Sequence, residues 1–230
     1  MKGFVKKDKY KDEKNKISKP SKQQIIAQAF DFHSKGNIAE AIKYYEYFIR
    51  LGFQDHRVFS NYGVILRDLG KLKEAQLYQQ KAIKLKPNYP VAYSNLGGIF
   101  RDLGKLEEAE IATRTSVKLN PNNAEAYSNL GSILIDLNKF EEAGSYLKKA
   151  IDLQYNYSKA HFNLGSLFKA LGKLKDAELA TREAIKLNPK YPEAHLNLGY
   201  ILRDLGKLKD AELATREAIK LNPKYPEAHL

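Results

Sequence analysis

The chain has 230 residues, 43% of them hydrophobic, with 39 Lys and Arg against 27 Asp and Glu and no Cys at all. This composition excludes disulfides, thiolate nucleophiles and Cys-based zinc sites, and it suits a reducing compartment, so a cytoplasmic location is expected. No apolar run approaches the roughly 18 residues of a membrane span, and the first 22 residues lack the apolar stretch of a secretory signal.

Residues 1–22 hold nine Lys against Asp8, Asp12 and Glu13, which is half of the net charge of +12. Segment 1–21 is polar, Lys-rich and poor in apolar side chains, so it is expected to be disordered. Such a tail could dock on acidic surfaces, anionic lipid or nucleic acid, or simply aid solubility.

From residue 22 the chain repeats every 34 positions. Gly falls at Gly63, Gly97, Gly131, Gly165 and Gly199, and an Ala follows twelve residues later at Ala75, Ala109, Ala143, Ala177 and Ala211. Pro87, Pro121, Pro189 and Pro223 recur near the ends of units. A period held without slip predicts a quasi-linear stack with no single globular core. Six units are expected, 22–55, 56–89, 90–123, 124–157, 158–191 and 192–225, with 226–230 beginning a truncated seventh.

Each unit reads as two helices. In residues 90–123, Pro90 suits a first helical turn, where its missing N–H costs nothing. Ala92, Tyr93, Leu96, Gly97, Phe100 and Leu103 then form an apolar face at three- and four-residue spacing. Gly104 is expected to end this helix in the left-handed conformation, a part Asn138 takes in the next unit. A second helix begins near Lys105 with Leu106, Ala109, Ile111, Ala112, Ser116, Val117 and Leu119 as its apolar or small positions, and Asn120-Pro121 stops it. Gly97 and Ala109 are placed where the two helices would cross closely, so a large side chain at Gly131 or Ala143 should overpack the crossing.

Period, Gly, Ala and Pro together resemble the tetratricopeptide repeat over residues 22–225. The resemblance implies an all-α fold, a right-handed superhelical solenoid of helical hairpins. Unit one departs from the pattern, with Ala29 for the Gly, Phe48 for an Ala and Phe53 for the Pro, and unit four has Tyr155 for the Pro. Residues 171–196 and 205–230 are identical, and no polar capping helix follows, so the sixth unit is expected to expose an apolar side. End-to-end self-association through that uncapped C-terminus is one consequence.

In the family this resembles, the first helices of successive hairpins line a concave groove. Unit positions 2, 6, 9 and 13 share one helical stripe. Position 6 is Asn61, Asn95, Asn129, Asn163 and Asn197. A carboxamide both donates and accepts, so these five are candidates for gripping an extended peptide main chain; the alternative is that they bond a neighbouring repeat. The A-Y-S-N-L-G and A-H-L-N-L-G segments are similar to repeats of O-linked N-acetylglucosamine transferase, and that resemblance implies peptide recognition by an Asn ladder. The chaperone-adaptor carboxylate clamp is a poorer match, because Ser60, Ser94, Ser128, Phe162 and Leu196 stand where it needs Lys.

Two further rows flank the Asn residues. Position 12 carries Arg67, Arg101, Lys169 and Arg203, interrupted by Ile135, and position 13 carries Asp68, Asp102, Asp136 and Asp204, interrupted by Ala170. An Asp near a helix C-terminus opposes the helix dipole and calls for a compensating partner. The rows read either as an Arg–Asp lattice between repeats or as side chains that recognise a ligand.

No phosphate loop, nucleophile elbow or zinc-protease motif is present. His161, His195 and His229 replace Phe59, Tyr93 and Tyr127 at one unit position and read as aromatic packing, with no metal and no cofactor expected. The expected function is a non-enzymatic scaffold for extended peptides or partner proteins. The alternative is the substrate-recognition region of a transferase whose catalytic domain lies elsewhere. Nucleic acid is disfavoured, since Asp68, Asp102 and Asp136 interleave with the Arg row.

Overall fold

The computed structural model describes residues 20–223, which form twelve α-helices paired into six hairpins. The Lys-rich tail, His229, the start of a seventh unit and the C-terminal end expected to mediate self-association all lie outside the described residues. Contacts divide the chain into two compact units, Met1–Phe53 and Gln54–Leu230.

The first unit is a single hairpin of α1 (Lys22–Ser34) and α2 (Ile38–Arg50). Ser21 caps α1 reciprocally with Gln24, satisfying two helix-terminal N–H groups. Ala29, Ala41, Tyr45 and Phe48 are buried, and the Phe48 and Phe53 rings meet at 5.5 Å. The two large residues that break the repeat pattern here thus pack on each other.

The second unit holds five hairpins: α3 (His56–Asp68) with α4 (Leu72–Leu85), α5 (Pro90–Asp102) with α6 (Leu106–Leu119), α7 (Ala124–Asp136) with α8 (Phe140–Leu153), α9 (Ser158–Ala170) with α10 (Leu174–Leu187), and α11 (Pro192–Asp204) with α12 (Leu208–Leu221). Each first helix touches the first helix of the next hairpin, and each second helix packs on the first helix that follows it. One hairpin cannot cover its apolar face alone; stacking supplies the other half of the core.

The turns follow from local sequence. Gly70, Gly104, Gly172 and Gly206 have φ between 70° and 76°, and Asn138 takes φ 58° in the equivalent place. At this reversal the Lys105 N–H donates to the Phe100 carbonyl at 2.8 Å, closing the end of α5.

The crossing inside each hairpin depends on the missing side chain. A Cβ built on Gly131 would lie 2.6 Å from Leu147 Cγ, and one on Gly97 would overlap the Thr113 hydroxyl with the Ala109 carbonyl oxygen only 3.2 Å away. Gly63, Gly165 and Gly199 meet Gln79, Thr181 and Thr215 in the same way.

On the second helices an ionic lattice joins neighbouring hairpins. Glu110 accepts from Lys139 at 2.7 Å and from Arg114 at 2.8 Å, while Arg114 also reaches Glu142. Glu178 accepts from Lys207 of the next hairpin at 2.6 Å. Burial alone would raise the Glu110 pKa, but these cations outweigh it and hold the carboxyl below its ordinary 4.5. A carboxyl depressed in the folded state contributes stability that is complete above its unfolded pKa and disappears as pH falls through the folded value. Glu110→Gln should therefore lose on the order of 1 kcal/mol near neutrality and show a shallower decline than the parent in thermal melts taken from pH 6 down to pH 3. Parallel declines would refute this role.

Candidate functional site

The five Asn side chains lie along α3, α5, α7, α9 and α11, and three of them reach back one hairpin. Asn95 Nδ2 donates to Ser60 Oγ at 3.3 Å, Asn129 Nδ2 to Ser94 Oγ at 3.4 Å, and Asn163 Nδ2 to the Ser128 hydroxyl and carbonyl at 3.0 and 3.1 Å. The link joins position 6 of one unit to the buried Ser at position 5 of the unit before. Where position 5 becomes Phe162, Asn197 has no such Ser and turns instead to Thr181 Oγ1 at 3.5 Å. Ser60, Ser94 and Ser128, three of the residues that stand where a carboxylate clamp needs Lys, are therefore the acceptors that hold Asn95, Asn129 and Asn163.

The members of the row are not equivalent. Asn163 is only 4% exposed, and its donor is engaged inside the stack. Asn61, Asn95, Asn129 and Asn197 are partly exposed.

The Arg and Asp rows interlock across hairpins. Arg67 Nε donates to Asp102 Oδ2 and Arg101 Nε to Asp136 Oδ2, each at 2.5 Å. Asp102 and Asp136, each at a helix C-terminus, thus have a compensating cation supplied by the hairpin before. Among the described residues only Nε of each is used, which leaves the Nη groups of both guanidiniums as further donors. Arg203 and Asp204 approach each other at 3.5 Å, Asp68 is exposed, and Lys169 and Arg203 lie 4.9 and 5.3 Å from the Tyr200 ring centre. The lattice reading is realised in the first three hairpins of this unit and not in the last two.

These side chains enclose a polar cavity of about 80 Å³ lined by Arg67, Asn95, Arg101, Glu125, Asn129 and Lys159, among others. Gly98 forms part of the wall because Arg67 lies across it; a Cβ there would stand 2.6 Å from an Arg67 Nη nitrogen. A liquid water occupies roughly 30 Å³, so the space matches a carboxylate, a carbonyl or a few waters.

Lys159 is the member that sequence reasoning missed. It occupies unit position 2, on the stripe already assigned to the groove, but position 2 reads Arg57, Val91, Glu125, Lys159 and Glu193 and shows no pattern to draw the eye. Its Nζ donates to Asn129 Oδ1 at 3.1 Å. Burial pushes its pKa below the ordinary 10.5, and Arg67 and Arg101 push the same way against Glu125 and Asp102. Three cationic groups thus converge on one small, half-enclosed space.

His161 and His195 act elsewhere. His161 Nε2 lies 2.8 Å from the Tyr155 carbonyl oxygen and His195 Nε2 lies 2.9 Å from that of Pro189, so each ties its helix to the loop before it.

The tetratricopeptide repeat models match residues 56–89, 90–123 and 124–157, and a second model of the same repeat matches 162–226. No curated protein sequence matches the chain. Among solved structures, TTC0263, a thermophilic TPR protein of Thermus thermophilus, superposes with a TM-score of 0.71 at 24% identity, over 76% of this chain and 95% of that one. The APC/C hetero-tetramer Cut9–Hcn1 gives 0.73 at 18% identity over 91% of this chain and 38% of that one. YrrB, described as a TPR protein with an unusual peptide-binding site, gives 0.51 at 22% identity over 76% and 90%. At these identities the likeness is one of fold, and no helix among the described residues is long and apolar enough to cross a membrane.

Proposed function

Since the chain belongs to the tetratricopeptide repeat family, we propose that it is a non-catalytic scaffold that binds an extended segment of a partner protein along α3, α5, α7 and α9. The observation that carries this reading is the polar cavity on which Arg67, Arg101, Lys159, Asn95 and Asn129 converge. A carboxylate or main-chain carbonyl of the segment enters the cavity, and the carboxamide edges of Asn95 and Asn129 pair with adjoining peptide groups. A net contribution of about 0.5–1.5 kcal/mol per hydrogen bond, offset by the cost of association, gives micromolar affinity with little sequence preference. The Asn contribution to this site is the one suggested by the resemblance to the glycosyltransferase repeats; the cavity, which Glu125 also lines, is read from the geometry alone.

The test separates Asn residues that face the cavity from the one buried in the stack. An unstructured peptide library is captured on the parent protein, on Asn95→Ala/Asn129→Ala and on Asn163→Ala, with folding followed by circular dichroism. The double variant should lose roughly ten-fold in affinity while staying folded, whereas Asn163→Ala should lose about 1 kcal/mol of stability and keep its peptides. Equal capture by all three proteins would sink the proposal.

A further inference from the structure

We propose that the groove between α8 and α9 is a second docking surface, which takes an amphipathic helix from an acidic partner protein. A hollow of about 400 Å³ opens there, lined by Phe140, Gly144 and Ile151 of α8 and by Leu164, Phe168 and Leu171 at the other wall. At 100° per residue the α9 wall lies about 130° around the helix from the Asn-bearing stripe, so this surface is separate from the cavity above.

Gly144 is the key to it. The same unit position is Gln76, Glu110, Glu178 and Glu212 in the other hairpins of this unit. Packing does not require Gly here, for a Cβ would meet Leu167 Cδ2 at 3.4 Å, an ordinary contact, whereas Gly131 has no such room. A mid-helix Gly lowers helix stability by about 1 kcal/mol relative to Ala, so its presence has no local structural benefit.

What it removes is a carboxylate. Glu110 pairs with Lys139 and Glu178 with Lys207, each joining one hairpin to the next. The cation at the equivalent place beside Gly144 is Lys173, and it has no carboxylate within ion-pair distance among the described residues. The substitution therefore leaves a bare backbone on the lining of the apolar groove and Lys173 without the carboxylate that its counterparts have. Lys148 stands on the lining as a second cation, with Glu141 toward the other end.

Those features define the occupant. From Phe140 to Ile151 the groove runs about 16 Å, or three helical turns. Two helix walls accept a third helix by ridge-into-groove packing, with aliphatic or aromatic anchors at i, i+4 and i+7. A carboxylate beside the anchors replaces the missing Glu at Lys173, and a net positive chain favours approach of an acidic partner.

The experiment uses a labelled helical peptide of about four turns with Leu anchors at i, i+4, i+7 and i+11 and Glu on the flanking positions, and a counterpart in which every Glu is Lys. Fluorescence anisotropy is recorded near physiological salt. The acidic peptide should bind at least ten-fold more tightly than its counterpart. Gly144→Glu, which restores the lattice residue of the neighbouring hairpins, and Lys173→Glu, at an exposed position, should each weaken it ten-fold or more. Asn95→Ala/Asn129→Ala should bind it as the parent does. Equal binding of the two peptides, parent-like binding by both variants, loss of binding in the Asn double variant, or no saturable binding would each overturn the proposal.

Discussion

Gly97→Val is expected to destabilise the protein by about 1–3 kcal/mol, the usual cost of overpacking a tight contact, and to lower the thermal midpoint by roughly 2–12 °C for a chain of this size. The added Cβ overlaps the Thr113 hydroxyl, and the Ala109 carbonyl oxygen behind it at 3.2 Å belongs to the backbone of α6 and cannot rotate away. A smaller change isolates the cause. Thr113→Ala alone should be harmful, because the buried hydroxyl donates to the Ala109 carbonyl at 2.8 Å. In a Gly97→Ala background the same substitution should help, because it clears the space the new methyl needs. Thermal melts of the four proteins form a double-mutant cycle, and the decisive result is that change of sign. If Thr113→Ala is equally harmful in both backgrounds, the helices have room to separate and the close crossing is not what Gly97 provides.

Lys159→Met is expected to weaken peptide capture by roughly ten- to a hundred-fold, the equivalent of one lost hydrogen bond to a charged group, while raising stability. The second half follows from the direction of the pKa shift. Burial holds the Lys159 pKa below 10.5, so the folded state disfavours the ammonium form. That penalty is present at neutral pH and is relieved as pH rises through the folded-state value toward the unfolded one. The parent should therefore gain stability relative to Lys159→Met between neutral and alkaline pH in denaturant titrations. A variant that is both less stable and unchanged in binding would show that Lys159 is a packing residue held by Asn129.

The fold was legible because its determinants are local and periodic. A Gly at a crossing, a Gly or Asn in a left-handed turn and a Pro after a second helix each act within one hairpin, and they recur often enough to be read without any partner. The candidate site was only half legible. The stripe and its Asn, Arg and Asp rows could be placed by helical angle, but the bonding between units could not. Asn95 and Asn129 find Ser one hairpin back, and the change to Phe162 redirects Asn197; that pattern exists only as a pairing across 35 residues. Lys159 was missed for the opposite reason. It is a singular residue in a repeating chain, and its importance comes from the neighbours that surround it. The identical helices α10 and α12 make the same point: Glu178 is 12% exposed and paired with Lys207, while Glu212 is 60% exposed.

The Arg67–Asp102 and Arg101–Asp136 pairs contribute little to stability, since half-exposed ion pairs rarely exceed about 1 kcal/mol. Their larger consequence is kinetic. Each pair splints a long side chain before any ligand arrives, so the rotamer freedom that binding would otherwise remove is already gone. A segment entering the cavity meets donors fixed in direction, and its encounter should proceed as a rigid-body event, with a single-phase on-rate linear in concentration and no slow rearrangement behind it.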